Sequence, residues 1–145
     1  MPNIVINWSA IAVACLAAFI FGGIWYTPLF GATWAKLMGM DMTKKPEKGV
    51  MVRAFTLQII GIFLTTYVMA HTVQVWQPSV WNAGPDMPKS MNGFYGGLFT
   101  WVGFYVPMQF GKVGWEGKPW KLFFINAGHD FINLQIIAQI LAHWR

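Results

Sequence analysis

The last long apolar stretch, Trp120 to Trp144 (WKLFFINAGHDFINLQIIAQILAHW), most constrains what this chain can fold into, because it is long enough to cross a bilayer and yet polar in its middle. An α-helix needs roughly 20 mostly apolar residues to cross about 30 Å of hydrocarbon, and this segment supplies them. It also carries Asn126, His129, Asp130 and Asn133 well inside. At about 100° per residue, Asn126, His129 and Asn133 lie within about 60° of one another and Asp130 about 40° beyond, so the four make one polar stripe. Ionisable groups at that depth cost roughly 3 kcal/mol against lipid, so the stripe is expected to face other helices or a cavity.

The rest of the chain fits that frame. Of its 145 residues 56% are hydrophobic and only 10% charged, where a soluble domain carries about 25% charged residues. Four apolar stretches, 4–26, 52–75, 93–110 and 120–143, leave no room for a separate soluble domain, so residues 1–145 read as a single four-span membrane domain. The predicted fold class is therefore an all-α integral membrane four-helix bundle, with the lipid bilayer as its first partner. Cys15 stands alone in the first stretch, so no disulfide can form within one chain. No Cys/His spacing of the metal-finger kind, no phosphate-cradling glycine loop and no serine elbow occurs, so no enzyme, metal or cofactor is expected. Haem is a poor fit because His71, His129 and His143 fall at different depths. Met38, Met40 and Met42 alternate, but without Cys or His nearby they suit interfacial packing better than copper.

Basic residues set the orientation. The first connection holds Lys36, Lys44, Lys45, Lys48 and Arg53, and the third holds Lys112, Lys118 and Lys121, while the second has Lys89 alone. Both basic connections are expected in the cytoplasm and both termini outside it, as for a bacterial inner-membrane protein. The formal charge of +5 is then an inner rim facing anionic lipid, with no need of a nucleic-acid partner. Met1 to Asn7 contain no Lys or Arg and the apolar run after them exceeds a signal-peptide core, so the first stretch reads as a retained span.

Small and polar residues predict how the spans meet. Ala10, Ala14, Ala18 and Gly22 recur every fourth position in span one, and Gly93 and Gly97 form a GxxxG pair in span three, patterns that let helices approach closely. Gln58, Thr65 and Thr72 recur at seven-residue intervals in span two and are expected to face other helices. Gln135, Gln139 and His143 form a second ladder on span four, pointing away from His129. Trp25-Tyr26-Thr27-Pro28-Leu29-Phe30-Gly31 followed by Trp34 also reads like Phe104-Tyr105-Val106-Pro107-Met108-Gln109-Phe110-Gly111 followed by Trp115, with one residue inserted, about 80 residues later. Two readings stay open: two duplicated helical hairpins, or a chance likeness of two interface endings.

The W-Y-x-P-L-F-G-x-x-W string at Trp25 to Trp34 and the string from Trp115 through Glu116, Gly117, Lys118 and Leu122 to Asn126-Ala127-Gly128 together resemble the small bacterial membrane proteins grouped as domain of unknown function 1761. The resemblance spans nearly the whole chain and implies a four-span fold with no established activity. Where the family pattern continues with Tyr-His, this chain has His129-Asp130, so a role for the family's imidazole does not transfer intact.

Two functions suit these residues. In one, a small channel or transporter subunit, Asn126, His129, Asp130 and Asn133 line a polar path for a proton, ion or small solute, with Asp130 as the counter-charge or acceptor of His129 and Gln58 or Thr65 completing the path. Because adjacent helix residues do not face each other, His129 and Asp130 are more naturally expected to act on partners in spans two and three, such as Gln58 or Thr65. In the other, a structural or accessory subunit of a membrane complex, the cluster serves helix packing. Four short spans make a thin bundle, so a homo-oligomer, at its simplest a dimer, is expected of a transporter.

Overall fold

Asn7 starts the first helix: its side-chain oxygen accepts from the Ala10 amide at 3.1 Å and so satisfies one of the donors that a helix N-terminus leaves free. Helix α1 runs Trp8–Ile24. Pro28 has no amide hydrogen and cannot continue the regular ladder, and the chain passes through a wider π-helical turn, Trp25–Leu29, before the short helix α2, Gly31–Leu37. Gly31 is required at that junction, since a Cβ there would stand 2.6 Å from the Tyr26 carbonyl oxygen. Helix α3, Lys48–Val75, is followed by a 3-10 turn at Pro78–Trp81. Helix α4, Lys89–Thr100, meets a second π-helical turn, Trp101–Tyr105, and resumes as α5, Val106–Gly114, with Pro107 in its first turn. Helix α6 runs Trp120–His143.

This computed structural model describes residues 4–144; residues 1–3, part of the stretch Met1 to Asn7 that has no Lys or Arg, and Arg145 lie outside the described residues. The fold is all-α, with no strand among the described residues. The two π turns occupy different registers of the repeated strings. The first encloses Pro28, whereas the second ends before Pro107.

Helix α6 packs against α1, α3, α4 and α5. It lies antiparallel to α1, as the Asn7 side chain reaching the Trp144 carbonyl at one end and Trp25 reaching the Ile125 carbonyl at the other require. The ladder Ala10, Ala14 and Ala18 is buried, and with Met69 of α3 and Leu134 and Ile137 of α6 it forms the apolar core. On the opposite side, Gln135 and Gln139 of α6 donate to the Phe94 and Ser90 carbonyls of α4 at 3.2 and 3.0 Å. The Gly93 and Gly97 surface makes room for those two side chains, since a Cβ at Gly97 would stand 2.6 Å from Gln135 Nε2.

Helix α3 divides into two halves. From Ile62 onward it contributes Thr66, Met69 and Val73 to the interior, but every residue from Lys48 to Gly61 is exposed, including Phe55, Leu57, Ile59 and Ile60. Among the described residues, two helical segments, Trp8–Leu29 and Lys48–Val75, are long and apolar enough to cross a membrane by length and composition. Helix α6 reaches that length, but its Asn, Gln and His side chains dilute its hydropathy.

Candidate functional site

A cavity of about 520 Å³ opens at the basic end of the fold, between the end of α1, α2, α5 and the start of α6. His129 and Asp130 line its inner part together with Tyr26, Gln109 and Asn126. Its mouth carries Lys112, Glu116 and Lys118, and Gln58 flanks it from the exposed half of α3.

At the floor, His129 Nδ1 lies 3.1 Å from Asp130 Oδ1. The two side chains thus meet each other, although adjacent residues on a helix do not face one another. The carboxylate is short and Nδ1 lies near the base of the ring, so side chains 100° apart on the helix still curl together at its surface. The second carboxylate oxygen, Oδ2, accepts from Gln109 Nε2 at 3.0 Å. Gln109 is buried and comes from the first turn of α5, two residues past Pro107. Gln109 is not among the residues that the polar stripe of span four suggests; the clue to it is a lone carboxamide in an otherwise aromatic and apolar string.

Aromatic rings hold the imidazole. Phe21 stacks on His129 at 5.5 Å with a 13° interplanar angle, and Tyr26 and Trp25 close in at 4.8 and 6.2 Å. A Cβ at Gly22 would meet His129 Nε2 at 3.5 Å, an ordinary contact distance, so this last rung of the small-residue ladder sits beside the imidazole. Asn126 Oδ1 accepts from the Tyr26 hydroxyl at 3.0 Å. The two π turns also grip the same stretch of α6. Trp25 donates its indole N–H to the Ile125 carbonyl at 3.1 Å, and Trp101 donates to the Ala127 carbonyl at 2.8 Å. The carbonyls on either side of Asn126 are thus each capped by a tryptophan from a different arm.

The remaining residues of the expected path lie elsewhere. Thr65 shares a 3.0 Å hydrogen bond with the Tyr105 hydroxyl and does not line the cavity. Asn133 stands one turn beyond His129, with its Oδ1 buried and without a hydrogen-bond partner among the described residues. Two atoms of the inner cluster share that condition, His129 Nε2 and Gln109 Oε1. Such buried unpaired atoms each cost about 1–3 kcal/mol unless water or a ligand satisfies them. Beyond the floor the interior turns apolar, with Ala14, Ala18, Met69, Leu134 and Ile137 filling the space between the helices. Among the described residues no three His, Cys, Asp or Glu side chains come together as a metal site.

Comparison with known families matches residues 9–142 to the family described as Protein of unknown function (DUF1761). No curated protein and no solved structure matches the chain.

Proposed function

From the premise that the chain belongs to the DUF1761 family, we propose that it is a four-span integral membrane protein that binds a small solute or ion in a cavity entered from the cytoplasmic side, as part of a transport unit. The spans are α1 with its π turn, α3, the α4–α5 arm and α6. Their pairing as two related hairpins is supported by π-helical turns in both arms at the same end of the molecule, each delivering a tryptophan to α6. The membrane reading is supported by the exposed apolar side chains of α1 and α3, and the orientation by the basic residues gathered around the cavity mouth.

The observation that carries the function is the chain Gln109, Asp130, His129 at the end of the polar cavity, with unpaired polar atoms on two of its three members. Buried polar groups that serve packing alone normally pair among themselves, as Asn126 with Tyr26 and Thr65 with Tyr105 do. Among the described residues Thr66, Gln77 and Asn133 also keep unpaired atoms, away from the cavity; what marks His129 and Gln109 is that theirs border a space that an occupant can enter. The apolar core beyond His129 argues for a site open to one side at a time over a standing pore, and passage then needs a second conformation. The activity is binding and movement, without a catalytic step. A thin bundle of this kind is expected to work as a dimer.

Proteoliposomes carrying an interior pH-sensitive dye test the reading. Proton or solute flux should fall in both His129→Ala and Asp130→Asn, and wild-type flux in both would leave these groups a packing role. The accessory-subunit alternative draws on one further feature, the exposed apolar surface of α3 from Lys48 to Gly61. It predicts a partner chain that is lost on purification when Ile59 or Ile60 is replaced by Ser.

A further inference from the structure

The cavity is polar in a directional sense. Its floor is rich in acceptors: both Asp130 oxygens, each already holding one donor, and the unpaired Oε1 of buried Gln109. Its mouth is rich in donors, with the ammonium groups of Lys112 and Lys118 outnumbering the one carboxylate of Glu116. Lys112 follows Gln109 by one turn of α5, about 5 Å along the axis at 1.5 Å per residue. A bare cation would satisfy the floor and meet repulsion at the mouth, and a bare anion would do the reverse. A zwitterion with its amine leading satisfies both.

The geometry points to a ligand that carries a primary ammonium and a phosphate a short spacer apart, the phosphoethanolamine group, bound with the ammonium at Asp130 and Gln109 and the phosphate at Lys112 and Lys118. This rests on the binding site proposed above and adds the class of molecule that fills it. The primary amine follows from the floor: its acceptors are served by N–H donors, which a quaternary amine lacks. The phosphate follows from paired lysines, which act on it as point charges. Two sources share this chemistry, free phosphoethanolamine and the headgroup of an ethanolamine phospholipid. The second has a lateral way in, because Gln58 lines the cavity from the half of α3 that packs least against the other helices, and the apolar residues around it, Phe55, Ile59 and Ile60, are exposed where acyl chains would lie.

Calorimetric titration of the full chain in detergent with phosphoethanolamine, phosphocholine and inorganic phosphate tests the assignment. Phosphoethanolamine should bind about tenfold or more tighter than either of the others, the difference expected for one or two charge-assisted hydrogen bonds. Asp130→Asn and Lys112→Ala should each weaken it by about the same factor. Lys112→Ala, at the half-exposed mouth, keeps the test decisive if Asp130→Asn fails to fold. Equal binding of phosphocholine removes the primary-amine floor, equal binding of inorganic phosphate removes the zwitterion, and no binding of any probe removes both; each overturns the inference. Native mass spectrometry with ethanolamine and choline phospholipids then separates the sources. Tighter retention of the ethanolamine lipid than of the free group assigns the headgroup, and parity assigns the free solute, either being a form of the same inference. Flux that still depends on Asp130 without phosphoethanolamine binding would overturn this ligand and leave the transport reading standing.

Discussion

Replacing Gly97 by alanine tests the seam between α4 and α6, the helix that carries His129. A Cβ at Gly97 would stand 2.6 Å from Gln135 Nε2, 3.1 Å from its Cδ and 3.3 Å from the Leu134 carbonyl oxygen. The glutamine must therefore swing aside and release the Phe94 carbonyl, to which it now donates at 3.2 Å. Losing that bond costs about 0.5–1.5 kcal/mol, and a strained rotamer for Gln135 adds about 0.5–1.5 kcal/mol. Alanine returns about 1 kcal/mol as the better helix former, leaving a net destabilisation of about 1 kcal/mol. In a Gln135→Ala background the two close atoms are gone and only the 3.3 Å approach to Leu134 remains. There the same Gly97→Ala change should be neutral or stabilising by up to about 1 kcal/mol. Reversible unfolding in mixed micelles, run as a double-mutant cycle, reads the coupling directly. Additive effects, or stabilisation by Gly97→Ala in the native background, would refute the contact as the reason for glycine here.

Three further outcomes are expected. Tyr26→Phe strips the donor from Asn126 Oδ1, now held at 3.0 Å, and should destabilise the protein by about 1–2 kcal/mol, read as a fall of roughly 2–6 °C in Tm; an unchanged Tm means that the bond contributes nothing. In a Cys15→Ser background, a membrane-impermeant maleimide applied from the basic side should label Gln58→Cys readily and Thr66→Cys hardly at all, because Gln58 is exposed beside the cavity and Thr66 is fully buried; equal labelling contradicts the lateral opening. In the connection after α2, the Thr43 hydroxyl and amide donate to Asp41 at 2.6 and 3.0 Å and hold its carboxyl below the usual range. The turn is therefore favoured above the ordinary carboxylate pKa of about 3.9 and loosens as pH falls through the lowered value. Thr43→Val should move the Asp41 titration, followed by carboxyl carbon NMR, back toward that ordinary value, and no movement would assign the shift to another cause.

Local pattern carried much of the architecture. The period of the apolar residues and the prolines at 28, 107 and 119 mark where helices begin, break and end, because backbone geometry responds to neighbours within a turn or two. The same locality made legible the buried Ala10, Ala14 and Ala18 ladder, the Gly93 and Gly97 surface, and the opposing faces of α6 that carry His129 and Gln135, since residues three and four apart share a face whatever surrounds the helix. The family resemblance was legible for a related reason, in that its strings lie at the first π turn and at the connection leading into α6. The π turns themselves were not visible, because the sequence signals a break in the ladder and not the form it takes.

The partners of the polar stripe were decided only in three dimensions. Tyr26 meets Asn126 and Trp25 meets Ile125 across 100 residues of chain, and Gln109 reaches Asp130 from an arm whose phase is reset by its π turn. An added residue in a turn rotates everything after it by about 100°, so no periodicity read upstream can say which side chain arrives at the cavity. Periodicity likewise placed Thr65 among the candidates, yet Tyr105 claims its hydroxyl. By itself, the amino-acid order determined that polar groups would be buried on α6 and that lysines would gather at one end. Packing decided which of those groups found a partner and which, like His129 Nε2 and Asn133 Oδ1, were left without one among the described residues, because hydrogen bonding is settled by distances of a few tenths of an ångström between segments that the chain keeps far apart.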